Sequence, residues 1–451
     1  MSFNWNRQFA SEWKAPDPPS IWFFLLLYVF VEGVALAVVV PDLPKGSMPW
    51  DKFIHDAVAI PFFCWTTLSC LVWLLAYDIP ATQAAAHNRS RWHQITTWQR
   101  QSRAGMAVLD SVILTPEADL AERMLKLEGE PPENPGKVMR LASIEGADAA
   151  SREHAVIEKL LTPLAARLAL AAKSDSFEIV IQCEQAESSL NLQAVWARIG
   201  LPGKPVVRWL DNSRDVGFAD TWFEGKANYW PYHSLDIAPK YRVVVAWHLN
   251  DESADVKPDV SEAAVALLFG MPALMRAKPD QKCQAWLLRQ TVADADEAGK
   301  ALVLLLDSEQ VPRTRIRHFW HSSLKGLARH ATLGALRESG LSVEAHALDS
   351  AIGPQAPVAR WVLQALAARM AHFGQGAQLI ALPHERGIAL NVATKERDPV
   401  AVPWKKEYGY NPILGPASAC AHQYGRLSCC FRPAAGARQT PLSRGLLRLE
   451  W

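Results

Sequence analysis

The chain has 451 residues, with 47 Lys+Arg against 46 Asp+Glu and a formal net charge of +1. That balance excludes a bulk electrostatic attraction for nucleic acid or for an acidic substrate. The residues beyond position 77 suffice for two domains, or for one large domain of two modules.

Residues 1–20 form a tail of mixed charge, with Arg7 and Lys14 against Glu12 and Asp17. Two apolar runs follow, 21–40 (IWFFLLLYVFVEGVALAVVV) and 57–77 (AVAIPFFCWTTLSCLVWLLAY). Each matches the ~20 residues that a helix needs to cross a hydrocarbon core of ~30 Å. No Lys/Arg-rich stretch abuts the first run, and VVVPDLPKG is a poor cleavage site, so the run reads as an anchor.

The link 41–56 carries Asp42, Lys45, Asp51, Lys52 and Asp56 and is slightly acidic. Residues 79–105 carry Arg89, Arg91, Arg100 and Arg103 and no acid. Basic residues beside a span mark its cytoplasmic side. The expectation is a two-span hairpin in a bacterial inner membrane, with 41–56 outside and both termini and the body in the cytoplasm. Trp22, Trp73 and Tyr77 suit the membrane interface, and Arg89 and Arg91 suit the lipid headgroups. Glu32 lies mid-span, where a carboxylate is costly. It reads as an intramembrane contact, to another membrane protein or to His55, Thr66 or Thr67, or else as a protonated residue of a simple anchor.

Residues 78–150 are a connector with the first strand, 105–115, a short helix at 119–127 and a Pro/Gly loop at 128–137 (EGEPPENPGK). Residues 151–173 have helical periodicity. Strands and helices then alternate: strand 177–182, a helix over 188–199 ending at Gly200, and strands 206–210 and 241–248. EAAVALLF (262–269) follows, and ALVLLL (301–306) reads as a strand or a buried segment. In the second half a helix over 322–339 ends at Gly340, then come strand 343–348, helix 357–373 and a hairpin of 378–382 with 388–393. Such alternation predicts an α/β sheet with helices on its faces. A weak repeat shows in the order of elements: a helix ending RIGL (198–201) before one strand, and a helix ending ESGL (338–341) before another. The expected modules are 151–312 and 313–395, with a tail over 396–451.

Two α/β modules that each close with a strand pair resemble the thiolase and ketoacyl-synthase family. SEAAVALL (261–268) is similar to the strand that closes that family's first module. AIGPQAPVARWVLQALAARMA (351–371) is similar to its second-module turn and helix. The resemblance spans residues 150–395 and implies a pseudo-duplicated fold with a nucleophilic Cys and paired His. Here residues 205–240 hold no Cys, the second-module His falls at Gly353-Pro354, and His346 lacks the glycines that should follow it. That chemistry needs a thiolate beside its base, so the resemblance implies a pseudoenzyme. The architecture of a short anchor before a duplicated body also resembles accessory and adaptor proteins of type VI secretion clusters.

Other motifs are lacking: no GxSxG, Walker A, GxGxxG or HExxH. The seven cysteines form no CxxC pair or zinc spacing and fit reduced thiols. His318 and His321, with His330 nine further on, read as structural, and His384-Glu385-Arg386 as a solvated turn. No metal or cofactor is expected. Trp222, Tyr229, Trp230 and Tyr232, with Trp404 and Tyr408, form aromatic clusters of the kind that dominates protein interfaces. The expected function is a non-catalytic, membrane-anchored adaptor for a protein partner. The alternative is a membrane-tethered enzyme acting on an acyl or lipid substrate.

Overall fold

The computed structural model describes residues 3–39, 50–146, 148–173, 177–185, 187–203, 205–211, 240–250, 258–277, 282–354, 358–384 and 387–396. The described chain divides into two units, one of residues 15–92 and one of residues 1–14 and 93–400.

The first unit holds α1 (Ile21–Val39) and most of α2, a continuous helix over Trp50–Ser102. Both are long and apolar enough to cross a membrane. The second helix therefore begins inside the stretch expected to be link, and it does not stop at Tyr77. Its two prolines are absorbed by single wider turns, His55–Ala59 and Leu74–Asp78. A proline ring clashes with the carbonyl four residues back, and the wider turns contain those residues, Ala57 and Ala76. The helices pack antiparallel: Trp65 Nε1 donates to the Phe24 carbonyl at 2.9 Å, and its ring meets Tyr28 edge-on at 5.3 Å.

The second unit is built on one sheet of 11 described strands. They are β1 (Gly105–Leu114), β2 (Phe177–Cys183), β3 (Val206–Asp211), β4 (Tyr241–His248), β5 (Ala263–Gly270), β6 (Ala285–Leu288), β7 (Thr291–Ala293), β8 (Ile316–His321), β9 (Glu344–Ala347), β10 (Ala377–His384) and β11 (Gly387–Thr394). The order is β3-β2-β4-β5-β1-β6-β11-β10-β8-β9, with β7 paired to β11.

This order is a duplication. From its outer edge inward, the first half reads β3-β2-β4-β5-β1 and the second β9-β8-β10-β11-β6. In each half the outer three strands are parallel, the fourth is antiparallel to the third, and the innermost is antiparallel to the fourth. In each, the innermost strand comes first in the chain. The two innermost strands pair antiparallel, Gly105 to Leu288 through Val108 to Ala285, and join the halves into one sheet. The two-module α/β architecture is thus present. The second copy starts at β6, upstream of residue 313, because four residues carry no readable period.

Helices cover both faces. On one face lie α3 (Leu120–Met124), α10 (Leu348–Ile352) and α11 (Ala359–His372), packed on Val180, Val244, Leu267, Trp320 and Ile380. On the other face α4 (Ala149–Leu161), α5 (Ala165–Ala172), α6 (Ser188–Arg198) and α7 (Pro272–Ala277) pack on the first half, and α8 (Ala298–Asp307) and α9 (Gly326–Glu338) on the second. Alternate residues of each strand feed opposite faces. The 151–173 helix breaks in two at Pro163. ALVLLL is helical: Ala298, Ala301, Leu302, Leu305 and Leu306 are its buried positions, a spacing that only a helix brings to one side. The matching helices α6 and α9 end at Gly200 and Gly340, whose φ of 75° and 70° fit the left-handed residue that closes a helix.

Candidate functional site

In open α/β sheets, ligands enter where the parallel strands end. Here that end of the junction between the two copies is filled by the chain itself. Segment 134–141 crosses it, laced to both halves. Toward the second copy, the Asn134 amide donates to Ser350 O at 2.9 Å and its side chain to Ala351 O at 3.1 Å. Toward the first copy, Met139 N donates to Ser261 Oγ at 3.0 Å and Met139 O accepts from Glu262 N at 2.9 Å. Ser261 N also reaches across to Pro354 O at 2.8 Å. Gly353 has φ +78°, and a Cβ there would overlap the Lys137 carbonyl. Only glycine lets the two backbones touch at this point.

Beneath the crossing segment lies a buried ion pair. The Glu262 side chain is 0% exposed and that of Arg152 is 7% exposed. Arg152 donates to both carboxylate oxygens, at 2.8 and 3.1 Å. Leu141 N and Asn250 N complete the carboxylate at 2.8 and 2.9 Å. With every oxygen paired, the group is spent on holding α4, the crossing segment and the β4–β5 connection together, and it offers no base to a substrate.

The cysteines described in this unit are equally committed. Cys183, at the end of β2, donates to Gln185 O at 3.1 Å, and burial pushes its thiol up to about 11. Burial also raises the Cys283 thiol. A thiol is nucleophilic only as the thiolate, so neither is poised to attack. At the end of β8, Asp349 accepts from Ser322 Oγ at 2.8 Å and from Ser323 N at 2.6 Å. It clamps a turn in which Ser323 has φ +56°. His321 Nδ1 is buried beside this turn without a hydrogen-bond partner.

A different constellation forms between β8 and β9. The two strands run parallel, with His318 opposite Glu344 and Trp320 opposite His346. All four side chains therefore share one face. His318 Nδ1 and His346 Nε2 are 3.0 Å apart, and one ligand atom from each of His318, Glu344 and His346 lies within 4.8 Å of the others. Trp320 packs on the His346 ring at 4.8 Å and is itself fixed by a 2.7 Å bond to Gln378 Oε1. Burial, and then His318, His321 and Lys126 nearby, hold His346 down to about 4. Burial also lowers His318, against the pull of Glu344. Both shifts favour the neutral imidazole. His318 and Glu344 line an open cavity of about 810 Å³ at the start of β8, with Arg315, Arg317 and Lys395.

By sequence, His318 and His321 read as structural histidines three positions apart. In a strand those positions face opposite ways, and the true neighbours of His318 come from β9. The period-two pattern of HFWH and EAHA is the one signal that could have found them. Trp222, Tyr229, Trp230, Tyr232, Trp404 and Tyr408 lie outside the described residues. Of the membrane-side candidates, Trp22 is exposed, the Trp73 and Tyr77 rings meet at 4.9 Å and are tilted by 59°, Arg89 is exposed, and Arg91 lies over the Trp92 ring at 5.0 Å. The three partners within the chain that the sequence offers Glu32 are engaged elsewhere. His55 pairs with Asp56 at 2.8 Å, and Thr66 and Thr67 bond the carbonyls of Phe62 and Phe63, one turn back. Glu32 Oε2 is left without a hydrogen-bond partner.

No protein-family model and no curated protein matches the chain. Solved structures do. The oxazolomycin ketosynthase domain of Streptomyces albus JA3453 is 11% identical, over 66% of this chain and 97% of that one, with a TM-score of 0.45. A ketosynthase from module 6 of the bacillaene synthase of Bacillus subtilis 168 is 10% identical, over 65% and 71%, with a TM-score of 0.47. The peroxisomal 3-ketoacyl-CoA thiolase of Saccharomyces cerevisiae is 9% identical, over 65% and 98%, with a TM-score of 0.39. These are folds of the class the sequence resembles. At such values the likeness concerns the course of the chain, and no residue role is carried over from it.

Proposed function

We propose that this protein is a membrane-anchored, non-catalytic adaptor whose α/β body holds a protein partner at the cytoplasmic face. The observation that carries the reading is the contact of the Lys137 carbonyl with Gly353. It fills the junction at the strand ends where a substrate would enter. The Cys183 and Cys283 thiols, both pushed up by burial, and the fully paired Glu262 support the same reading.

The hairpin topology has support of its own. Trp98 Nε1 donates to Asn4 O at 2.9 Å, Phe3 stacks on Trp98 at 5.8 Å, and Arg289 lies 4.8 Å above the Phe3 ring. The chain before the first span and the chain after the second thus belong to one body. If both helices span, this shared body is what a hairpin requires, and the arginines at 89–103 favour the cytoplasm as its side. A partner from a type VI secretion system is the reading that the sequence resemblance adds.

The test incubates the full-length chain in detergent with acyl-CoA and acyl-carrier thioesters, and separately cross-links it in native membranes. The expected result is no acyl adduct and no thiol release, together with a reproducible cross-linked protein that is lost when the body is removed. A cysteine-linked acyl group would overturn the proposal.

A further inference from the structure

We propose that His318, Glu344 and His346 form a binding site for a divalent transition-metal ion of the zinc class, open to the cavity at the start of β8. The donor set is two imidazoles and one carboxylate. Nitrogen and oxygen donors of this kind suit zinc and its neighbours, whereas magnesium and calcium take oxygen alone. Three protein ligands leave a fourth position, and the cavity lies beside it.

The geometry needs little adjustment. Two nitrogens bound tetrahedrally at about 2.1 Å lie roughly 3.4 Å apart, and His318 Nδ1 and His346 Nε2 are 3.0 Å apart. A few tenths of an ångström admit the ion. The supporting shell is in place: the Trp320 ring packs on His346, and Gln378 fixes Trp320. Among the described residues, this is the one group of three or more His, Cys, Asp or Glu whose ligand atoms lie so close. The two rings share one hydrogen bond, and the Glu344 carboxylate lies within 4.8 Å of both. Arg317 and Lys395 line the same cavity, so the fourth ligand would be water or an anionic oxygen donor. An ion here would also staple the edge strand β9 to β8, since each strand supplies ligands.

The experiment uses the tag-free full-length chain in detergent, stripped with chelator and titrated with zinc by calorimetry. One saturable ion per chain is expected, with a Kd on the order of 1 µM or tighter. His318→Ala and Glu344→Gln should each weaken it by ~10-fold or more. Those two positions are half-buried and exposed, so the variants should fold even if a change at buried His346 does not; circular dichroism verifies this. X-ray absorption of the loaded protein should show two imidazole nitrogens. Absence of a saturable ion, or an affinity unchanged in both variants, would overturn the proposal.

Discussion

The Lys137 carbonyl rests directly against Gly353, with no room for a Cβ between them. One backbone contact thereby ties the crossing segment to the second structural copy at the junction of the two.

Gly353→Ala should therefore be costly. The residue combines a positive φ with backbone overlap, and a strained φ alone is worth roughly 1–3 kcal/mol. Thermal unfolding should show a loss of at least ~2 kcal/mol. Gly299→Ala in α8, where the nearest atom to a new Cβ is Ala335 Cβ at 3.5 Å, should be neutral or slightly stabilising. Equal effects at both positions would remove Gly353 from its special role.

The Arg152–Glu262 pair should behave as a buried pair. Glu262→Ala leaves Arg152 charged and alone, at a cost of about 3–5 kcal/mol. Glu158→Ala breaks the exposed pair with Arg198, where the side chains are 47% and 52% exposed, and should cost under ~1 kcal/mol. Urea denaturation of both variants measures the contrast.

Acid should destabilise the metal-free body through its histidines. His346 is held at about 4 when folded, against an ordinary 6.5. Between those values the unfolded chain takes up a proton that the folded one refuses, so stability falls as pH drops from about 6.5 to about 4. The loss for this group is on the order of 3 kcal/mol. His318 and His321 shift in the same direction through burial. Denaturation of chelator-treated protein between pH 7.5 and 4.5 should show this slope, and His346→Gln should flatten it.

The hairpin predicts a reporter pattern. Alkaline phosphatase fused within residues 41–49 should be active in cells, and fusions at the N-terminus or after Lys395 should be inactive. Trp98→Ala, which removes the bond to Asn4, should expose residues 3–14 to protease without changing that pattern. An active fusion after Lys395 would reverse the topology.

Much of the fold was legible in local pattern. The β4–β5 and β10–β11 pairs, and the helices closing at Gly200 and Gly340, follow from periodicity and from the glycine that ends a helix. Less legible was anything whose partner lies far along the chain. β6 is too short to announce itself, and ALVLLL is apolar enough to pass for strand. His318 reads as a structural histidine because its neighbour in space, His346, is 28 positions away.

By itself the sequence determined the two apolar helices, the α/β alternation and the duplicated order of elements, because these depend on residues three, four or two positions apart. The tertiary structure alone decided that β1 and β6 join the copies, that segment 134–141 seals their junction, and that two histidines and a glutamate converge. Those are matters of strand register and chain crossing, set by packing across the whole body, and no local pattern records them.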